Sequence, residues 1–126
     1  MSLRIAVLGH DVTSKHLAGG LLELGADVIG YDLKAPKRPL TPMAESVAEA
    51  VADADLVISL NSATVATRMA EQAAAAIKPG ALYADLNSGT PALKEKLAGL
   101  FSYGTFVDVA VMGSVAELGA KVWVSW

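Results

Sequence analysis

Residues 4–32 constrain the fold of this chain more than any other stretch. Arg4-Ile-Ala-Val-Leu-Gly9 is a short apolar run with β-branched members that ends in glycine, the pattern of a buried strand meeting a tight turn. A helical segment follows, with Leu17, Leu21 and Leu24 spaced to share one face and Gly25 placed to close it. Asp27-Val-Ile-Gly-Tyr-Asp32 then reads as a second strand with an acid at its carboxyl end. Strand, glycine turn, helix, strand and acid, the acid roughly 20 residues past the turn, is the order of a dinucleotide-binding unit. The start of such a helix offers free N–H groups to a pyrophosphate, and the acid accepts hydrogen bonds from ribose hydroxyls.

The glycine fingerprint is degraded. Gly9-His10-Asp11-Val12-Thr13-Ser14 stands where G-x-G-x-x-G is expected, and only its first glycine is present. Asp11 sets a side chain and a negative charge where backbone would approach phosphate. Ser14 replaces the glycine that lets helix and strand pack closely. His10 reads either as a phosphate donor or as a solvated loop histidine, and His16 as a surface residue of the helix.

Residues 33–42 are the most loop-like stretch, with three prolines and three basic side chains just beyond Asp32. They form either a solvated connection or a site where Lys34, Lys37 or Arg38 meets a ribose 2′-phosphate. Asp32 repels such a phosphate from a fixed strand end, whereas exposed loop cations are screened, so the balance favours NAD over NADP. Thr41-Pro42 resembles an N-cap with proline at the first helical position, predicting a helix to about residue 53 with Met43, Val47 and Val51 at four-residue steps.

Residues 55–60 predict a third strand running into Asn61-Ser-Ala-Thr64, and an alanine-rich helix from there to about Ile77, stopped by Lys78-Pro-Gly80. Residues 81–86 predict a fourth strand, after which Thr90 caps a helix begun by Pro91 and ending between residues 101 and 104. Residues 105–111 and 121–125 predict the fifth and sixth strands. Strict alternation with short loops implies one α/β domain, a doubly wound, mostly parallel, Rossmann-like sheet with helices on both faces. Only nine residues, 112–120, separate the last two strands, fewer than a parallel crossover needs. The sixth strand is therefore expected to run antiparallel at the sheet edge.

Composition narrows the function classes. With 53% hydrophobic residues and no apolar run of about 18, the apolar excess belongs in a sheet or an interface, not a membrane. The chain enters a strand directly, without the pattern of a secretory signal, so a cytoplasmic protein is expected. Zero cysteines exclude disulfides and thiolate catalysis. The net charge of −3 gives no general attraction for nucleic acid, and no metal-ligand spacing is present.

In an open α/β sheet, ligands bind beyond the carboxyl ends of the strands. Those ends carry residues 9–12, Asp32, Leu33 and Lys34, residues 60–62, residues 87–89 and residues 112–114. Asn61, Asn87 and Ser88 read equally as caps or as ligand contacts.

Two further segments carry a family resemblance. Asp85-Leu-Asn-Ser-Gly-Thr-Pro91 resembles the D-x-S-T-x-x-P segment of the β-hydroxyacid dehydrogenases. That group includes 3-hydroxyisobutyrate dehydrogenase and the NAD-binding domain of 6-phosphogluconate dehydrogenase. Phe106-Val-Asp-Val-Ala-Val-Met-Gly-Ser114 is similar to the family's substrate-facing F-x-D-A-P-V-S-G-G run, with Met112 in place of its serine. The resemblance covers nearly the whole chain. It implies that Gly9, His10, Asp11, Val12 and Asp32 hold pyrophosphate and adenosine ribose, and that Leu60, Asn61 and Ser88 line the nicotinamide half. Asn87, Gly113 and Ser114 would face a small-molecule substrate.

The family's catalytic lysine lies in a helix beyond the dinucleotide domain, and an all-helical domain follows it. This chain reaches Trp126 where that continuation would begin, and Lys121 is not a positional match. No catalytic residue is therefore assigned, and the chain alone is expected to be inactive. The expected function is the NAD(P)-binding domain of a hydroxy-acid oxidoreductase; the rival is a non-catalytic nucleotide-binding or interaction module of the same fold. Trp123 and Trp126 at an edge strand lead to an expectation of homo-oligomers through that edge.

Overall fold

The computed structural model describes residues 3–9, 12–34, 37–87, 89–102, 105–112 and 123–125. The elements are β1 (Arg4–Leu8), α1 (Val12–Glu23), β2 (Asp27–Tyr31), α2 (Val47–Val51), β3 (Leu56–Ser59), α3 (Ala63–Ala76), β4 (Leu82–Asp85), α4 (Pro91–Ala98), β5 (Phe106–Asp108), β6 (Ala110–Met112) and β7 (Trp123–Ser125).

Alternating side chains of β1 fix the two faces of the sheet, because successive strand residues point to opposite sides. Ile5 and Val7 pack with Val28, Ile58 and Leu17 and Ala18 of α1. Ala6 and Leu8 face the other way, into the larger cluster built on Val57, Tyr83 and the apolar faces of α2, α3 and α4. There Tyr83 stacks on Phe101 at 4.5 Å and on Phe106 at 6.0 Å between ring centroids. The helix α1 closes in a Schellman motif: Gly25 N–H donates to Leu22 O and Ala26 N–H to Leu21 O, with Gly25 at φ +89°. Leu17 is buried and Leu21 half-buried as the spacing implies, but Leu24, lying past the helix end, is 67% exposed.

The five-stranded sheet has the order β2-β1-β3-β4-β5, and every pair in it is parallel. The expected antiparallel edge strand is not part of it. Residues 105–111 do not form one continuous strand: β5 stays in the sheet, while β6 leaves it and pairs antiparallel with β7 as a separate two-stranded ribbon. A short connection does require antiparallel pairing, but the pairing is satisfied within the ribbon.

The helix predicted over residues 41–53 is also corrected. Pro42 O accepts from Gly30 N–H at 2.9 Å and Ala44 N–H donates to Gly30 O at 2.8 Å, so Met43 forms a parallel bridge on the outer edge of β2. Thr41 is therefore not a cap. The helix begins at Ser46, whose Oγ accepts from Glu49 N–H at 3.1 Å, and covers only Val47–Val51. Counting the bridge at Met43 as a strand position, the order becomes 3-2-1-4-5-6, that of dinucleotide-binding folds.

Candidate functional site

Gly9 ends β1 at φ +124°, a conformation that side-chain-bearing residues rarely adopt. A Cβ there would lie 2.2 Å from Leu60 O, so the backbones after β1 and β3 meet at this point and only glycine fits. Ser14, one turn into α1, is fully buried and donates its hydroxyl to Leu60 O at 2.7 Å. The loss of the last fingerprint glycine is thus accommodated: the small hydroxyl is tied to the carbonyl that crowds Gly9. Gly9 N–H donates to Tyr31 O at 2.7 Å, which leaves anion contacts to the N–H groups at the start of α1.

One strand over, Asp32 stands half-buried just past β2, and its Oδ1 accepts from Lys34 N–H at 3.1 Å. This local turn fixes the carboxylate at the strand end. Leu33, Lys34, Lys37 and Arg38 are exposed, and Lys15 Nζ of α1 donates to Arg38 O at 2.9 Å, tying the basic loop over the helix.

Beyond Gly9 lies a polar network that joins three strand ends. Asn61 Nδ2 donates to Leu8 O at 3.0 Å, and Asn61 N–H donates to Asn87 Oδ1 at 2.6 Å. Asn87 Nδ2 in turn donates to Ser59 Oγ at 3.0 Å and to Asp85 Oδ1 at 2.6 Å. Asp85 is 1% exposed, and its Oδ2 lies 3.0 Å from Lys94 Nζ, which sits 2.8 Å from Asp108 Oδ1. The Asp85–Lys94 contact is an ion pair by distance and lacks hydrogen-bond angles. A carboxylate so deeply buried requires such a partner. Both N–H groups of Asn87 are engaged within the protein, so the residue acts here as a brace between strand ends.

The structure therefore brings Gly9, Asp32, Leu60, Asn61 and Asn87 to one edge of the sheet. It describes the backbone of Val12 there as the start of α1. His10, Asp11, Ser88, Gly113, Ser114, Lys121 and Trp126 lie outside the described residues. Sequence reasoning missed Ser59, Lys94 and Asp108. A lysine in the first turn of a proline-initiated helix, following a strand that ends in aspartate, was the available signal. Among the described residues no group of acids and histidines is placed to hold a metal ion, and no helix is long and apolar enough to cross a membrane.

No family model matches the sequence, and no curated protein matches it. Solved structures do. A conserved hypothetical protein from Sinorhizobium meliloti is 30% identical at a TM-score of 0.86, the match covering 98% of this chain and 46% of that one. The 3-hydroxyisobutyrate dehydrogenase of Mycobacterium tuberculosis, solved with L-serine, is 25% identical at 0.82, covering 99% and 47%. A conserved protein of unknown function described as similar to 3-hydroxyacid dehydrogenases is 26% identical at 0.82, covering 97% and 48%. A reductive aminase from Aspergillus terreus solved with NADPH and an imine reductase from Myxococcus stipitatus solved with NAD+ share the fold at 23% and 21% identity. Almost the whole of this chain is thus the structural counterpart of slightly under half of a 3-hydroxyisobutyrate dehydrogenase and of a 3-hydroxyacid-dehydrogenase-like protein, and these are its structural neighbours.

Proposed function

We propose that this chain is the nucleotide-binding half of an NAD(P)-dependent oxidoreductase acting on a small hydroxy acid or a related imine. The observation that carries this is the pairing of Gly9, in its strained turn beneath Leu60, with Asp32 one strand away. The start of α1 would receive the pyrophosphate and Asp32 the adenosine ribose, and the residues present suit those groups. Neighbouring parallel strands lie about 4.8 Å apart, so a ligand running from β2 past β1 reaches the ends of β3 and β4, where Leu60, Asn61 and Asn87 stand. A bound nicotinamide supplies the hydride chemistry, while the protein orients it and sets its electrostatics.

Fixation of Asp32 by Lys34 N–H supports NAD over NADP, against the attraction of Lys34, Lys37 and Arg38 for a 2′-phosphate. Proton transfer is not assigned to any described residue. Lys94, the lysine brought to the strand ends, is held between two carboxylates. The 126-residue chain by itself is therefore expected to bind cofactor without turning over hydroxy acids.

Calorimetric titration with NADH and NADPH tests this reading. At least one should bind, NADH more tightly, and Asp32→Ala should abolish most of that preference. Absence of heat with either at millimolar concentration would favour the non-catalytic module. An NADP preference lost in a Lys34/Lys37/Arg38 alanine triple variant would show that the loop cations decide cofactor choice.

A further inference from the structure

We infer that Lys94 is a positioning residue for the nicotinamide half of the site: its charge sets the direction of the Asn87 amide and so fixes the bend after β3. The inference rests on the nucleotide-binding reading above. It begins from the buried carboxylate of Asp85, whose two oxygens do different work. Oδ2 faces the Lys94 ammonium at 3.0 Å, while Oδ1 accepts from Asn87 N–H at 3.1 Å and from Asn87 Nδ2 at 2.6 Å.

An ionised carboxylate only accepts hydrogen bonds, so it draws the NH2 end of the Asn87 amide toward itself. The carbonyl end must then point the other way, where it accepts Asn61 N–H at 2.6 Å. Were Asp85 neutral, its own hydroxyl could donate and this polarity would no longer be enforced. Lys94 keeps Asp85 charged in a site that is 1% exposed, where an unpaired carboxylate would be driven to protonate. The lysine therefore acts at a distance, through Asp85 and Asn87, on the backbone of Asn61.

That backbone is already held on its other side. Asn61 Nδ2 donates to Leu8 O and Ser14 Oγ donates to Leu60 O, so residues 60 and 61 are clamped to the glycine turn. The Lys94-dependent bond is the anchor toward β4. Releasing it loosens the side of the edge beyond Gly9 while Asp32 and the α1 turn stay in place. The consequence is selective: a ligand reaching across β3 and β4 loses a preformed surface, whereas one confined to β2 and β1 does not.

Lys94→Gln, with Lys94→Arg as the charge-conserving control, separates these cases. Two readouts are compared: hydrogen exchange of the Asn61 amide in the free protein, and affinity for NADH against ADP-ribose. The Gln variant should exchange the Asn61 amide faster and bind NADH about tenfold more weakly, a loss of one buried hydrogen bond. Its ADP-ribose affinity should stay within about twofold, and the Arg variant should behave as the parent. If the Gln variant does not fold cooperatively, Asn87→Ala removes the acceptor directly and should give the same selective loss. Equal weakening of both ligands, or an unchanged Asn61 amide and an unchanged affinity ratio, overturns the positioning role and leaves the nucleotide reading intact. Absence of NADH, NADPH and ADP-ribose binding by the parent chain overturns the nucleotide reading, and this role with it.

Discussion

Gly9 and Ser14 act as a pair around one carbonyl. A methyl group on Gly9 would both demand a positive φ and press on Leu60 O at 2.2 Å, a backbone atom that cannot swing aside. Gly9→Ala should therefore destabilise the chain by about 2–4 kcal/mol, measured as the shift in urea unfolding at constant m-value. Ser14→Ala removes only a donor to that carbonyl and should cost about 1–2 kcal/mol. A Gly9→Ala variant as stable as the parent would mean that β1 and β3 can part at their carboxyl ends. Both residues were visible in the sequence, Gly9 as the surviving fingerprint position and Ser14 as an apparent defect. That Ser14 is fully buried and bonded to a residue 46 positions away is a matter of tertiary contact, which no local pattern encodes.

At the scale of elements, chain ends are joined by few contacts, and one of them titrates. Lys78, just past α3, lies 2.8 Å from Asp55 Oδ1 at the start of β3, and Arg4 N–H donates to Asp55 Oδ2 at 3.0 Å. The Lys78 hydrogen bond first, and the Arg4 backbone bond second, hold the Asp55 carboxyl below its ordinary 3.8. In that window the unfolded chain takes up the proton first, so the stabilisation is complete above about pH 4 and is lost as pH falls through the lowered folded value. Both side chains are substantially exposed, so the effect is small and screened by salt. Lys78→Met should flatten the acid limb of a stability–pH curve, followed as the urea midpoint at low ionic strength; an unchanged limb would assign acid sensitivity to other carboxylates. Most elements were legible from caps and breakers: Thr90 accepts from Leu93 N–H at 3.2 Å at the head of α4, as its sequence position implied. The exception was the stretch around Met43. Its helical spacing matched Val47 and Val51, but pairing with the exposed edge of β2 satisfied more backbone groups than one extra helical turn would have.

Across the whole molecule, folding is governed by one parallel sheet with a large cluster on one face and a smaller one on the other. Tyr83 lies at the centre of the larger cluster, 1% exposed, stacked between Phe101 and Phe106, with its hydroxyl lacking a hydrogen-bond partner. Burial, aided by the negative charge of Asp85 and opposed by the hydroxyl of Ser59, pushes its pKa from 10.0 to about 12. The folded state then holds a proton that the unfolded chain releases, so stability declines as pH rises from about 10 through about 12, by about 3 kcal/mol in all. Tyr83→Phe should remove this alkaline loss and cost little at neutral pH, because no hydrogen bond is sacrificed. A variant that still unfolds over the same alkaline range would place the responsible group elsewhere. The alternation of apolar runs with capped helical segments determined the α/β class, the parallel sheet and the dinucleotide-type edge, because those follow from periodicity and from local backbone chemistry. Tertiary structure alone decided that the final strand pairs in its own ribbon, that Met43 extends β2, and that Lys94, Asp85 and Asn87 brace Asn61. These depend on which distant backbone edges and buried charges find partners, and such partners are chosen by the folded arrangement as a whole.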